Sequence, residues 1–177
     1  MELIKPHARY EASYQRYIQE LGNEERYPFT LDFDHEDFPA LLEQLARYEQ
    51  GIDLPKNKVP SSTYWLVHDN ELIGVTNLRH VLNDEIREIG GHIGLGIRPS
   101  YRGKGLSKLL LDMTLVKALE KGIHEVLIHC YKHNLASSRM IAACGGKLDS
   151  EVSLTTSLPT ETKSIKQVIV QRFIIHQ

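Results

Sequence analysis

Residues 90–113 read GGHIGLGIRPSYRGKGLSKLLLDM, and no other stretch restricts the fold as much. A run rich in Gly and Ile, suited to a strand, enters Arg98-Pro99-Ser100-Tyr101-Arg102-Gly103-Lys104-Gly105-Leu106-Ser107 and then an apolar helix. Gly103 and Gly105 let the backbone turn tightly and come close to a ligand. The helix that follows offers its first unpaired N–H groups and the positive end of its dipole. Arg102 and Lys104 add charge, so the segment has the parts of a phosphate or pyrophosphate site. It is not a Walker A loop, because Arg98 stands where the first Gly belongs and Gly105 where Ser or Thr must follow the Lys. It is not a dinucleotide fingerprint either, because Lys108 replaces the third Gly. What remains is Arg102-x-x-Gly105-x-Ser107.

A second block follows the strand VLIHC: Asn134-Leu135-Ala136-Ser137-Ser138-Arg139-Met140-Ile141-Ala142-Ala143-Cys144-Gly145-Gly146. Asn134, Ser137 and Gly145, with a helix between the last two, stand ~30 residues beyond the first block. Taken together, the two blocks resemble the acetyl-CoA site of the GNAT superfamily of N-acetyltransferases, and a bacterial subgroup of predicted acetyltransferases with unassigned substrates in particular. The resemblance implies an α/β fold, a mixed α+β sheet of about six or seven strands with about four helices. It implies that the fourth and fifth strands splay and that acetyl-CoA lies between them. Pyrophosphate would then rest on Arg102, Gly103, Lys104, Gly105, Leu106 and Ser107. The backbone of Leu95 and Ile97 would pair with pantetheine as an added strand does, and Asn134 and Ser137 would meet the CoA arm.

The rest of the chain agrees with that order. Helices are predicted over about 8–21 and 37–50, strands over 63–68, 71–79 and 88–97, and a helix over 105–121. A strand at 126–130, a helix at 136–144 and strands at 147–155 and 165–175 follow, the last two joined by a polar loop with Pro159. The 177 residues suit one domain spanning the whole chain. A formal charge of −2 argues against a nucleic-acid partner. Two cysteines exclude a disulfide scaffold. No run approaches the ~18 apolar residues of a membrane span, and MELIKPHARYE lacks the apolar core of a signal peptide, so a cytoplasmic protein that does not engage membranes is expected. A homodimer is compatible with this reading.

Transfer of an acetyl group to a primary amine by direct attack in a ternary complex needs a base for the amine. Glu88 and His92 are candidates, four apart on the predicted strand and so on one face. His92 can equally be a hydrogen-bonded core residue. Many members of the family carry Tyr seven residues after the motif Asn to protonate the leaving thiolate; here that position is Ile141. Tyr131 and Cys144 are possible replacements, and a thiol of pKa ~8.5 also leaves tolerably unaided. The missing Tyr keeps a second reading open, a non-catalytic acyl-CoA-binding sensor. A nucleotide-binding module using the same loop is a third. His129, Cys130 and His133 lack a second ligand pair, so no metal is expected. The acceptor is a small-molecule amine or a peptide amine.

Overall fold

The computed structural model describes residues 1–157 and 165–177, with side chains outside 155–166. The loop containing Pro159 lies outside the described residues. The elements run β1 (Glu2–Ile4), α1 (Glu11–Leu21), α2 (Phe38–Gln50), β2 (Ser61–His68), β3 (Glu71–Arg79), α3 (Asp84–Glu88), β4 (Ile93–Ile97), α4 (Leu106–Glu120), β5 (Glu125–Tyr131), α5 (Leu135–Ala143), β6 (Lys147–Ser157) and β7 (Ile165–His176). The strands form two antiparallel groups, β1-β2-β3-β4 and β5-β7-β6.

The strand β2 shows why this is a layered α/β molecule. Residues Ser61–Val67 are all buried, so both faces of the strand are covered. Trp65 and Val67 pack with Tyr14, Tyr17, Phe38 and Leu41 of α1 and α2. Leu66 meets Leu110 of α4 on the opposite face. The apolar faces of these helices therefore cover the sheet. Asp37 caps α2 by accepting from the Ala40 N–H (3.0 Å), and Gly51 ends that helix in the left-handed region.

One sequence expectation needs correcting. Residues 88–97 are not one strand: Glu88 ends the short helix α3, and β4 begins only at Ile93. Asn83 caps α3 by accepting from the Ile86 N–H (2.9 Å), and the chain then turns through Gly90 and Gly91, both at positive φ. Glu88 and His92 therefore do not share a strand face. The structure also adds β1, which pairs with β2 and makes β4 the fourth strand. No helix among the described residues is long and apolar enough to cross a membrane.

An ionic cluster fixes the exit of β4. Arg98 is buried; its Nε donates to Glu20 Oε1 of α1 and its Nη1 to Glu71 Oε2 of β3, each at 2.7 Å. Ser13 donates to Glu71 (2.7 Å) and accepts from the Leu72 N–H (2.8 Å), and Glu20 also accepts from the Ser100 N–H (3.0 Å). Removing the guanidinium strands two carboxylates that are partly shielded from water. Arg98→Met should lower the unfolding free energy by about 2–4 kcal/mol in urea titration, whereas Arg47→Met, whose ion pair with Asp53 is exposed, should cost less than about 1 kcal/mol.

Candidate active site

The site begins where β4 and β5 part. They meet at one bridge, Gly91 to Ile128. There the His92 N–H donates to Leu127 O (2.7 Å), the Leu127 N–H donates to His92 Nδ1 (3.0 Å), and the Gly90 N–H donates to His129 Nδ1 (2.8 Å). Two imidazoles thus take hydrogen bonds that a neighbouring strand would supply. Gly91 is required here: its φ is +67°, and a Cβ would lie 2.5 Å from Leu127 O. Beyond this pinch each strand keeps partners on one side only.

Ladder parity decides which groups face the gap. The His92 carbonyl accepts from the Arg79 N–H and the Arg98 N–H donates to Ile73 O, both at 2.8 Å. With the intervening register regular, Gly94 and Gly96 also bond toward β3. The N–H and C=O groups of Ile93, Leu95 and Ile97 therefore point away from β3, into the gap. Ile97 O is taken by Arg102 Nε (3.0 Å). The Tyr27–Pro28 segment crosses β4 at its glycines, so closely that a Cβ on Gly96 would lie 2.1 Å from Tyr27 O.

The loop after β4 leads into α4 with its donors exposed. Gly103 and Gly105 have φ of +75° and +74°, and a Cβ on either would meet nothing within 4 Å. No side chain caps α4. The N–H groups of Gly103, Lys104, Gly105, Leu106 and Ser107, five in succession, have no acceptor among the described residues. This is a ready site for an anion. Arg102 is not a free cation: its guanidinium also grips Glu24, at 3.2 and 2.8 Å. Lys104 Nζ donates to Ser100 O (3.1 Å) and sits over the Tyr101 ring.

The other residues singled out from sequence fall into two groups. Asn134 Oδ1 caps α5 through the Ser137 N–H (3.1 Å), and its Nδ2 has no partner among the described residues. Tyr131, at the end of β5, donates to Glu25 Oε1 (3.0 Å) beside Tyr27. Burial pushes its phenol above the ordinary value, so it keeps its proton. Ile141 is a core residue. Burial pushes the Cys144 thiol up to about 12. Glu88 stands apart, paired with Arg172 of β7 at 2.9 Å. Glu25 was not singled out from sequence, since NEERY carries no motif; only the approach of the α1–α2 connection to β5 reveals it. Among the described residues no group of three or more His, Cys, Asp or Glu could hold a metal.

His92 is 8% exposed, and burial, with Arg87 and Arg79 nearby, pushes its imidazole down to about 4. Its Nδ1 lone pair is occupied by Leu127 N–H, which leaves the ring hydrogen on Nε2. Taking a proton at Nδ1 would break that bond. His129 is likewise pushed down to about 4, by burial and then by Arg172, Arg79 and His92. Both imidazoles bind a proton in the unfolded chain below about pH 6.5, but in the folded chain only near pH 4. Stability should therefore be full above pH 6.5 and fall as pH drops toward 4. Glu20, Glu49 and Glu71, held below their ordinary 4.5, add losses only below that pH. Urea midpoints measured from pH 7 to 4.5 should decline, and the decline should flatten in a His92→Gln/His129→Gln double variant.

Residues 16–145 match the model of a protein family described as the Acetyltransferase (GNAT) family. Solved structures share the fold along the whole chain. An acetyltransferase of the GNAT family from Streptococcus pneumoniae is 17% identical, covering 98% of this chain and 99% of its own, with a TM-score of 0.65. A spermidine N-acetyltransferase from Vibrio cholerae is 16% identical, covering 99% and 95%, with a TM-score of 0.64. yncA from Salmonella typhimurium, solved with its cofactor acetyl-CoA, is 13% identical, covering 99% and 92%, with a TM-score of 0.67. Among curated proteins none matches by sequence.

Proposed function

Since the chain belongs to the Acetyltransferase (GNAT) family, we propose that it is an acetyl-CoA-dependent N-acetyltransferase that transfers acetyl to a primary amine by direct attack in a ternary complex. One observation carries this reading: a strand edge with unpaired N–H and C=O groups runs straight into five unpaired N–H groups at the uncapped start of α4. That combination fits an extended ligand with amides at one end and a pyrophosphate at the other.

Leu95 and the Ile97 N–H would pair with pantetheine amides. The N–H groups of Gly103 to Ser107 would hold pyrophosphate, with Lys104 nearby as a cation. Arg102 shapes the loop by binding Ile97 O and Glu24, and Asn134 Nδ2 and Ser137 would meet the CoA arm. Acetyl-CoA, when bound, supplies a thioester as the acetyl donor. The pinch at Gly91 places the acceptor amine by limiting how far that donor enters, and alignment of this kind is worth an effective molarity of ~10⁵ M or more. Formation of the N–C bond releases an amine proton to water beside the exposed Glu25 carboxylate. Tyr131, its hydroxyl held by Glu25, protonates the departing sulfur as the C–S bond breaks and regains a proton from the water beside Glu25. His92 acts as a positioning residue that keeps β5 against the start of β4. Glu88, in its pair with Arg172, lies outside this proton route.

Calorimetry should show CoA binding, weakened more than tenfold in Gly105→Asp (~1.4 kcal/mol). Unchanged affinity in a folded variant would reject the loop as the pyrophosphate site. Thiol release from acetyl-CoA across a panel of primary amines then separates enzyme from sensor, since binding without release favours the sensor. In the enzyme, Tyr131→Phe should lower kcat by about 10²-fold with KM for acetyl-CoA unchanged. His92→Gln should retain the acidic limb of the pH–rate profile, whereas loss of that limb would make His92 the base.

A further inference from the structure

We propose that the acceptor amine carries a carboxylate, bound by Arg79 and Lys58 in the hollow beside the pinch. The proposal rests on the acetyltransferase reading and names the substrate class for it. Arg79 is the last residue of β3 and is half-buried. Its Nη1 donates to Gly91 O at 2.8 Å, with Gly90 O farther away at 3.5 Å. Its Nε and Nη2 have no acceptor among the described residues, and no described carboxylate lies within ion-pair distance. The other shielded arginines have counterions: Arg98 has Glu20 and Glu71, Arg172 has Glu88, and Arg26 has Asp32. A guanidinium stays charged at any working pH. One withdrawn from water without an anion is costly, and the free Nε–Nη2 edge has the fork geometry that a carboxylate matches.

A second cation converges on the same place. Lys58 Nζ lies 4.7 Å from the centre of the Phe29 ring, and the Arg79 guanidinium lies 5.4 Å from it. Lys58 makes no ion pair among the described residues. Both cations line an open hollow of about 500 Å³, in which Ile86 and Ile89 supply apolar wall. That volume suits an amino acid or a short peptide end. Two acids also line it, Glu85 and Glu88. Arg172 neutralises Glu88, so among the described residues Lys58 and Arg79 face Glu85 as the one uncompensated acid, and these residues leave the hollow with a net positive charge of one.

Position links this subsite to the reaction. The Gly90 and Gly91 carbonyls held by Arg79 belong to the residues at which β4 and β5 part. A carboxylate on Arg79 therefore anchors its own molecule next to the closed end of the gap, where a reacting amine must stand. The apolar wall takes the side chain.

The test compares L-phenylalanine, L-glutamate and L-lysine, each with its amide and its decarboxylated amine, by thiol release and by calorimetry on CoA-loaded protein. The wild type should favour each acid over both analogues by tenfold or more in kcat/KM and in affinity. In Arg79→Gln the acid-to-amine ratio should collapse to about one. Because Arg79 also ties Gly90 and Gly91, Lys58→Gln provides a variant without backbone ties, and there the ratio should fall severalfold. Equal use of acid and amine by the wild type, a ratio unchanged in both variants, or preference for phosphoethanolamine over every acid would overturn the subsite. CoA binding without any carboxylate preference overturns the subsite alone. Absence of CoA binding overturns the acetyltransferase reading, and the subsite with it.

Discussion

Beyond Gly91, β4 has a bonded neighbour on one edge only among the described residues, and the rest of the site depends on that. If β4 and β5 paired along their length, the backbone groups of Leu95 and Ile97 would satisfy each other across the sheet and leave no opening. The pairing stops because the contact is made by side chains as well as by backbone. His92 Nδ1 and His129 Nδ1 each accept a backbone N–H from the opposite strand, so the strands are held at one point and free to diverge after it. An unpaired strand edge is normally a liability; here it is short, and partly closed where Arg102 covers Ile97 O.

The loop after β4 must be rigid and at the same time leave its donors unused. The Arg98 cluster reconciles these needs. It anchors the loop from beneath, through α1 and β3, and Glu20 takes the Ser100 N–H. The five N–H groups from Gly103 to Ser107 then face outward, where water satisfies them at little cost. Buried without partners, each would cost about 1–3 kcal/mol. The rigidity of the loop is thereby supplied by an ionic cluster away from those donors, where geometry can be tight.

Around the pinch the charge balance is unusual. Arg79, Arg87 and Arg172 stand near the buried His92 and half-buried His129 imidazoles and help to keep both neutral. Neutral imidazoles are what the strand contact requires, because a protonated Nδ1 could not accept the Leu127 or Gly90 N–H. The same arginines make the neighbourhood poor for a bare cation and good for a molecule that brings its own anion.

The local pattern of the chain determined much of this molecule. Gly103 and Gly105 ahead of an apolar helix point to a tight turn with unused donors, because positive φ and unpaired helix donors are properties of a few consecutive residues. The spans of α1, α2, β2 and β3 rest on equally local patterns and were legible. What that pattern did not show was of another kind. β1 is three residues before Pro6 and exists only because β2 offers an edge. Glu88 reads as part of the strand, but Asn83 caps a helix that ends at Glu88, and two glycines at positive φ turn the chain after it. His92 has the right intrinsic chemistry for a base, but its lone pair is consumed by Leu127, 35 residues away. Glu25 meets Tyr131 across 106 residues, and Arg79 lacks a counterion among the described residues because of which side chains the packing sets beside it. A lone pair, a counterion and a proton route are relations between distant residues, so tertiary structure alone could decide them.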